Sequence, residues 1–147
     1  MRKNFVSEIE YLLSEVPKEQ WKDPGICGVR YELLPWHTMS SVTIQTREDD
    51  VRDPAGWKYY FSAESDTSRI KKEIAKYQDC DDTWFYHKLL IEAAEAFLSI
   101  DLSQYGHTTT VDRGSLYKPF RVQVYHADRL FSFNYCEYVL AKRAGTR

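Results

Sequence analysis

The chain has little of what marks several common protein classes. No apolar run approaches the roughly 18 residues that a membrane-spanning helix needs, and mean hydropathy is -0.57. The three cysteines, Cys27, Cys80 and Cys136, lie far apart and never as Cys-x-x-Cys. That spacing suits reduced thiols in a cytosol better than a disulfide framework or a zinc site. The six glycines are dispersed, so neither spacing of a phosphate-cradling loop occurs. There is no Gly-x-Ser-x-Gly, and Gly25-Ile26-Cys27-Gly28 leads into a strand pattern where a nucleophile elbow must lead into a helix. Neither charge sign dominates: 20 Lys plus Arg against 22 Asp plus Glu leave a net charge of -2. The basic clusters are only pairs, such as Lys71-Lys72 and Lys142-Arg143, which is not the footprint of a nucleic-acid binder. The N-terminus starts basic, but Glu8 and Glu10 interrupt any apolar stretch. It does not read as a secretory signal, and a cytoplasmic location is expected.

What is present in excess is aromatic. Eleven Tyr, seven Phe and four Trp make up 15% of 147 residues. That length favours one domain, 1–147, and 43% hydrophobic residues suffice for a packed core.

Periodicity lays out the elements. Phe5, Ile9, Leu12, Leu13 and Val16 hold one face of a helix that Pro17 closes. After the turn Lys22-Asp23-Pro24-Gly25, Val29, Tyr31 and Leu33 alternate with Arg30, Glu32 and Leu34 up to Pro35. Val42 and Ile44 alternate with Ser41, Thr43 and Gln45; Trp57, Tyr59, Phe61 and Ala63 alternate with Lys58, Tyr60 and Ser62. A helix is predicted over 69–77 with Ser68 as its cap, and a longer one over 83–102 capped by Asp81 or Asp82. Phe85, Leu89, Ala93, Ala96, Phe97 and Ile100 give the longer helix a wide apolar face, and Lys88 and Glu92 are spaced as an i,i+4 pair. A loop over 105–118 leads to two further strands, Phe120–Tyr125 and Phe131–Tyr135, the second holding Phe131, Phe133 and Tyr135 on one face. The expectation is an α+β fold in two layers, an antiparallel sheet of about five strands with helices on one face.

Each possible chemical group has a simpler reading beside it. Asp49, Asp50 and Asp53 carry the spacing that holds magnesium on a diphosphate, but Pro54 and Gly56 make the segment a solvated loop. Asp79, Asp81 and Asp82 suit a helix N-terminus, where the macrodipole favours negative charge. No two of His37, His87, His107 and His126 sit at i,i+3 or i,i+4, so no metal site and no cofactor are expected. His37 follows Pro35-Trp36 in a turn and is the best candidate for a ligand-binding histidine. Cys136 reads as a small apolar core group, and His87 as a helix-surface residue beside Trp84.

The aromatics that core periodicity does not absorb, Trp36, Tyr60, Tyr125 and Trp84, direct attention to recognition. Tyr and Trp join a large contact area to a polar tip. A sheet face bearing Lys58, Tyr60, Arg121, Gln123 and Tyr125, with Trp36 and His37 at a turn, is the predicted binding surface. Filling the core of a small domain is the competing use for such rings.

The segment Trp36-His37-Thr38-Met39-Ser40-Ser41-Val42-Thr43-Ile44-Gln45-Thr46-Arg47-Glu48, followed by Asp53-Pro54-Ala55-Gly56-Trp57-Lys58-Tyr59-Tyr60, resembles small bacterial immunity proteins that accompany polymorphic toxins. The likeness lies in a first helix, a strand pair, an Asp-Pro-x-x-Trp turn into an aromatic strand and a later long helix. It spans the first two-thirds of the chain. The resemblance implies a non-enzymatic protein that binds and blocks a cognate toxin without a cofactor. The net charge of -2 departs from the distinctly acidic balance that matches a basic nuclease. Two other classes stay open: a small-molecule site or enzyme near His37 with Asp49, Asp50 or Asp53 alongside, and a structural subunit of a homo-oligomer.

Overall fold

A computed structural model describes residues 1–50, 54–79, 83–105, 120–126 and 133–145. Within them run α1 (Arg2–Glu15), α2 (Lys18–Trp21), β1 (Ile26–Leu34), β2 (Met39–Thr46), β3 (Tyr59–Ser65), α3 (Lys71–Gln78), α4 (Thr83–Leu98), β4 (Arg121–Val124) and α5 (Tyr135–Gly145). The α+β class is as expected. The sheet differs in two respects: the described residues give it four strands, in the order β3-β2-β1-β4, and it is mixed.

β1, β2 and β3 form the antiparallel meander that the alternation predicts. β4 instead lies parallel to β1, with Val29 opposite Val122 and Tyr31 opposite Val124. A parallel neighbour requires a long crossover, usually helical. The connection from β3 to β4, which contains α3 and α4, supplies it.

The predicted last strand is corrected as well. Tyr135 opens α5, while Phe131 lies outside the described residues. Asn134 explains the change. Its Oδ1 accepts the Cys136 N–H at 3.0 Å, as a helix N-cap does, and also the Val124 N–H at 3.0 Å. Its Nδ2 donates to the Val122 carbonyl, so a single amide ends β4, starts α5 and joins the two.

The core forms on the sheet face that carries Val29, Tyr31, Leu33, Val42, Ile44 and Ala63. Phe5, Ile9, Leu12 and Leu13 of α1 pack there with Leu89, Leu90, Ala93 and Phe97 of α4. Glu8 faces the same way and is fully buried. Its carboxylate accepts hydrogen bonds from Ser40 (2.7 Å) and Ser65 (2.9 Å) and lies 3.7 Å from Arg69 Nη1. Hydroxyls from two strands and a guanidinium meet the need of a buried charge for partners. Burial and the nearby Glu8 charge push the Tyr31 hydroxyl well above the ordinary phenol range.

Other local expectations change at the ends of elements. Ser68 does not cap α3: Ile70 holds the N-cap position without a side-chain cap hydrogen bond, and the Ser68 N–H is donated to Asp66 at 3.1 Å ahead of the helix. Glu92 pairs with Arg2 at 3.2 Å and not with Lys88. The candidate caps Asp81 and Asp82, together with Cys80, lie outside the described residues. In β3 the register shifts, and Phe61 adopts φ 50°, the left-handed region. Its N–H turns to Thr43 Oγ1 at 3.2 Å, and its ring stacks on Tyr60 at 4.0 Å.

That irregularity separates residues that strict alternation would place together. Tyr59 joins the core and Phe61 does not; Trp57, in the turn before β3 where its carbonyl accepts the Tyr60 N–H at 3.3 Å, is buried on the other side of the sheet over Arg30. There Arg30 lies between two rings, 4.8 Å from the Trp57 centroid and 4.0 Å from that of Tyr125. Its Nη2 donates to Gln123 Oε1 at 3.1 Å, and Gln123 Nε2 donates to Gln45 Oε1 at 2.6 Å. The amide chain crosses over Gly28, where a Cβ would come within 2.8 Å of the Arg121 carbonyl and 2.9 Å of Gln123 Nε2. Glycine is required there by space.

Candidate functional site

The seven predicted binding residues do not form one open face. Lys58 and Tyr60 lie at the β3 edge, Arg121, Gln123 and Tyr125 at or beside β4 on the opposite edge, with β1 and β2 between them. Gln123 is fully buried in the amide chain, and Tyr125 is half-buried against Arg30. Arg121 pairs with Glu137 at 3.3 Å and thereby ties β4 to α5. Lys58 and Tyr60 are exposed, and Lys58 Nζ reaches Asp23 at 3.2 Å.

Asp23 is a local organising group. It accepts the Tyr59 hydroxyl at 2.6 Å, the Gly25 N–H at 2.8 Å and the Lys58 ammonium. The Tyr59 hydroxyl, first, and the Gly25 amide, next, hold its carboxyl down at about 2, from an ordinary 3.8. The folded value lies below the unfolded one. The contribution to stability is therefore complete above the unfolded value and is lost as pH falls through the folded one. Asp23→Asn is expected to cost about 1 kcal/mol at neutral pH, given the solvent screening of Lys58. Urea unfolding checks this: the gap between variant and parent should close by pH about 2.

Trp36 and His37 form a short 3-10 turn between β1 and β2 and are both exposed. The indole is the outer member of a ring cluster. It meets Tyr86 edge-on at 5.8 Å, and Tyr86 in turn meets Tyr77 at 5.4 Å and buried His126 at 4.4 Å. The Tyr86 hydroxyl donates to the Leu33 carbonyl, which fixes the cluster to the end of β1.

The carboxylates weighed with His37 are elsewhere. Asp49 follows the far end of β2, roughly 25 Å from His37 at the usual rise per strand residue. Its carboxylate is committed locally, to the Thr46 N–H at 2.7 Å, the Thr46 hydroxyl at 3.0 Å and the Lys58 N–H at 3.2 Å. The Asp50 carbonyl accepts the Trp57 indole N–H. Asp53 and His107 lie outside the described residues. Among the described residues, no group of three His, Cys, Asp or Glu is placed to hold a metal ion.

The region that sequence reasoning underrated is the join of α4 and α5. Trp84 is 57% exposed and stacks on His87 at 4.8 Å. His87 Nδ1 lies 2.7 Å from the Tyr135 hydroxyl and its ring 6.1 Å from Tyr138. Burial pushes the Tyr135 phenol up to about 12. Burial, and secondarily the charge of Lys142, shift His87 below its ordinary value, which favours the uncharged ring. Cys136 is buried as expected, and burial pushes its thiol up. The missed signal was Asn134-x-x-Glu137, a helix-start pattern, followed by Val139 one turn beyond Tyr135.

Comparison with known proteins brings no family model, no curated relative and no solved structure that matches this chain.

Proposed function

We propose that the chain acts by binding another protein, and that the partner is a toxin it neutralises, as in the immunity proteins its first two-thirds resembles. The observation that carries the reading is the pair of exposed indoles, Trp36 at 38% and Trp84 at 57%, each backed by other rings. An aromatic side chain held at the surface by packed neighbours loses little conformational freedom on binding, and such anchors dominate interface energetics. The half-buried Tyr138 and exposed Tyr60 extend the same chemistry. The balanced charge favours a partner recognised by shape and apolar contact over one recognised by charge alone.

Pull-down of the tagged full chain from its native cells tests the reading. A stoichiometric partner that Trp36→Ala or Trp84→Ala releases is the expected result. Recovery of no stoichiometric partner overturns it.

A further inference from the structure

Between α4 and α5 lies a groove of about 220 Å³ lined by Ile91, Glu95, Tyr138, Val139, Lys142 and Arg143. Trp84, Lys88, Ile91 and Glu95 recur at helical spacing, so the exposed indole and Lys88 continue the α4 side of the groove toward the helix start. On the α5 side, Lys142 Nζ lies over the Tyr138 ring, 5.0 Å from its centroid.

The charges around the groove are unequal. Glu95 is occupied by Arg143, Glu92 by Arg2 and Glu137 by Arg121. Among the described residues, neither Lys88 nor Lys142 has a carboxylate partner. Among the described residues, then, two ammonium groups without a carboxylate partner, Lys142 on the groove's lining and Lys88 one turn along α4 from Ile91, accompany an apolar floor of Ile91, Val139 and the Tyr138 ring, on a chain whose net charge is -2.

We infer that this groove docks an acidic segment of a partner protein, with an apolar side chain seated on Ile91, Val139 and Tyr138 and carboxylates meeting Lys88 and Lys142. The inference rests on the protein-binding reading and names the chemistry the partner must offer. Apolar contact on the floor sets the register; the ammonium groups choose acidic over basic sequences and speed encounter.

The test uses the full chain and two short synthetic peptides, one with Leu and Phe anchors flanked by glutamates, the other with lysines in place of the glutamates. In amide NMR titrations the glutamate peptide is expected to shift Ile91, Val139 and Lys142, to bind more weakly in high salt, and to exceed its lysine twin. Lys142→Glu, at an exposed position, should weaken it by at least about tenfold without moving the thermal midpoint. Absence of shifts at those residues, equal binding of the lysine peptide, or unchanged binding by Lys142→Glu overturns the inference. So does concentration-dependent self-association that Lys142→Glu abolishes, which would assign the groove to a second copy. A native partner retained equally by Lys142→Glu overturns this surface and leaves the protein-binding reading intact. Failure of pull-down alongside binding of the glutamate peptide overturns the wider reading and leaves the groove.

Discussion

Arg30→Ala is expected to lower the unfolding free energy by about 3–5 kcal/mol, because it removes a buried guanidinium and strands its partner. Arg30 is almost wholly buried, and Gln123 Oε1 accepts from both its Nε (3.4 Å) and Nη2 (3.1 Å). Alanine leaves that oxygen bare in the sheet, opens a void and ends two ring contacts at once. Companion variants separate these effects. Arg30→Met fills the void but still strands Gln123, and about 1–2 kcal/mol should go. Arg30→Lys keeps the charge but not the planar group that fits between Trp57 and Tyr125, so it should not restore the parent value. Urea midpoints order the three. A loss under about 1 kcal/mol for alanine would mean that the aromatic sandwich contributes little.

Phe5→Ala should cost a similar amount, about 3–5 kcal/mol, by a different route. Phe5 has no exposure and meets Tyr31 edge-on, with ring centroids 6.5 Å apart. It thereby joins α1 to the central strand β1. Truncation leaves a cavity between two rigid elements that cannot close around it. For a chain of this size the melting midpoint should fall by roughly 10 °C or more. Calorimetry provides the check, and Phe5→Leu should recover most of the loss, since it restores most of the volume. The two alanine variants probe opposite faces of one sheet and share no contact. Their effects should therefore add in the double variant.

The elements that were legible in the sequence are those whose residues answer to a single constraint. Phe5, Ile9, Leu12 and Leu13 mark α1 because only their burial is at stake, and Val29, Tyr31 and Leu33 mark β1 likewise. The reading failed where a second constraint acted. Phe133 and Tyr135 alternate as a strand would, but Asn134 between them has its amide committed to β4 and α5, and that contact comes from outside the local window. The parallel pairing of β4 depends on where a helical crossover delivers the chain, which alternation within β4 does not encode. Phe61 left the core face because of one backbone irregularity in β3, and Trp57 because it lies in the turn before the strand.

The candidate site was legible in residue type and not in placement. The surplus rings do mark exposed positions at Trp36, Tyr60 and Trp84. Gln123 and Tyr125, read as surface residues from their alternation, face a side of the sheet where Gln45, Thr43 and Ser41 are buried too. Polar composition signalled solvent there, whereas hydrogen bonds within the layer accommodate the polar atoms of Arg30, Gln123, Gln45 and Thr43. The groove between α4 and α5 could not be found before α5 was known to be a helix.

The left-handed turn of the backbone at Phe61 has a consequence for how copies of the chain behave when crowded. Among the described residues β3 is an outer strand, and a flat outer strand presents unpaired amides and carbonyls on which a neighbouring molecule can zip up. At Phe61 the ladder is broken, the N–H is drawn inward to Thr43, and Tyr60 and Phe61 stack in its place. A strand arriving from another molecule would lose register halfway along. Bulges and breaks of this kind are a general means by which outer strands resist such pairing.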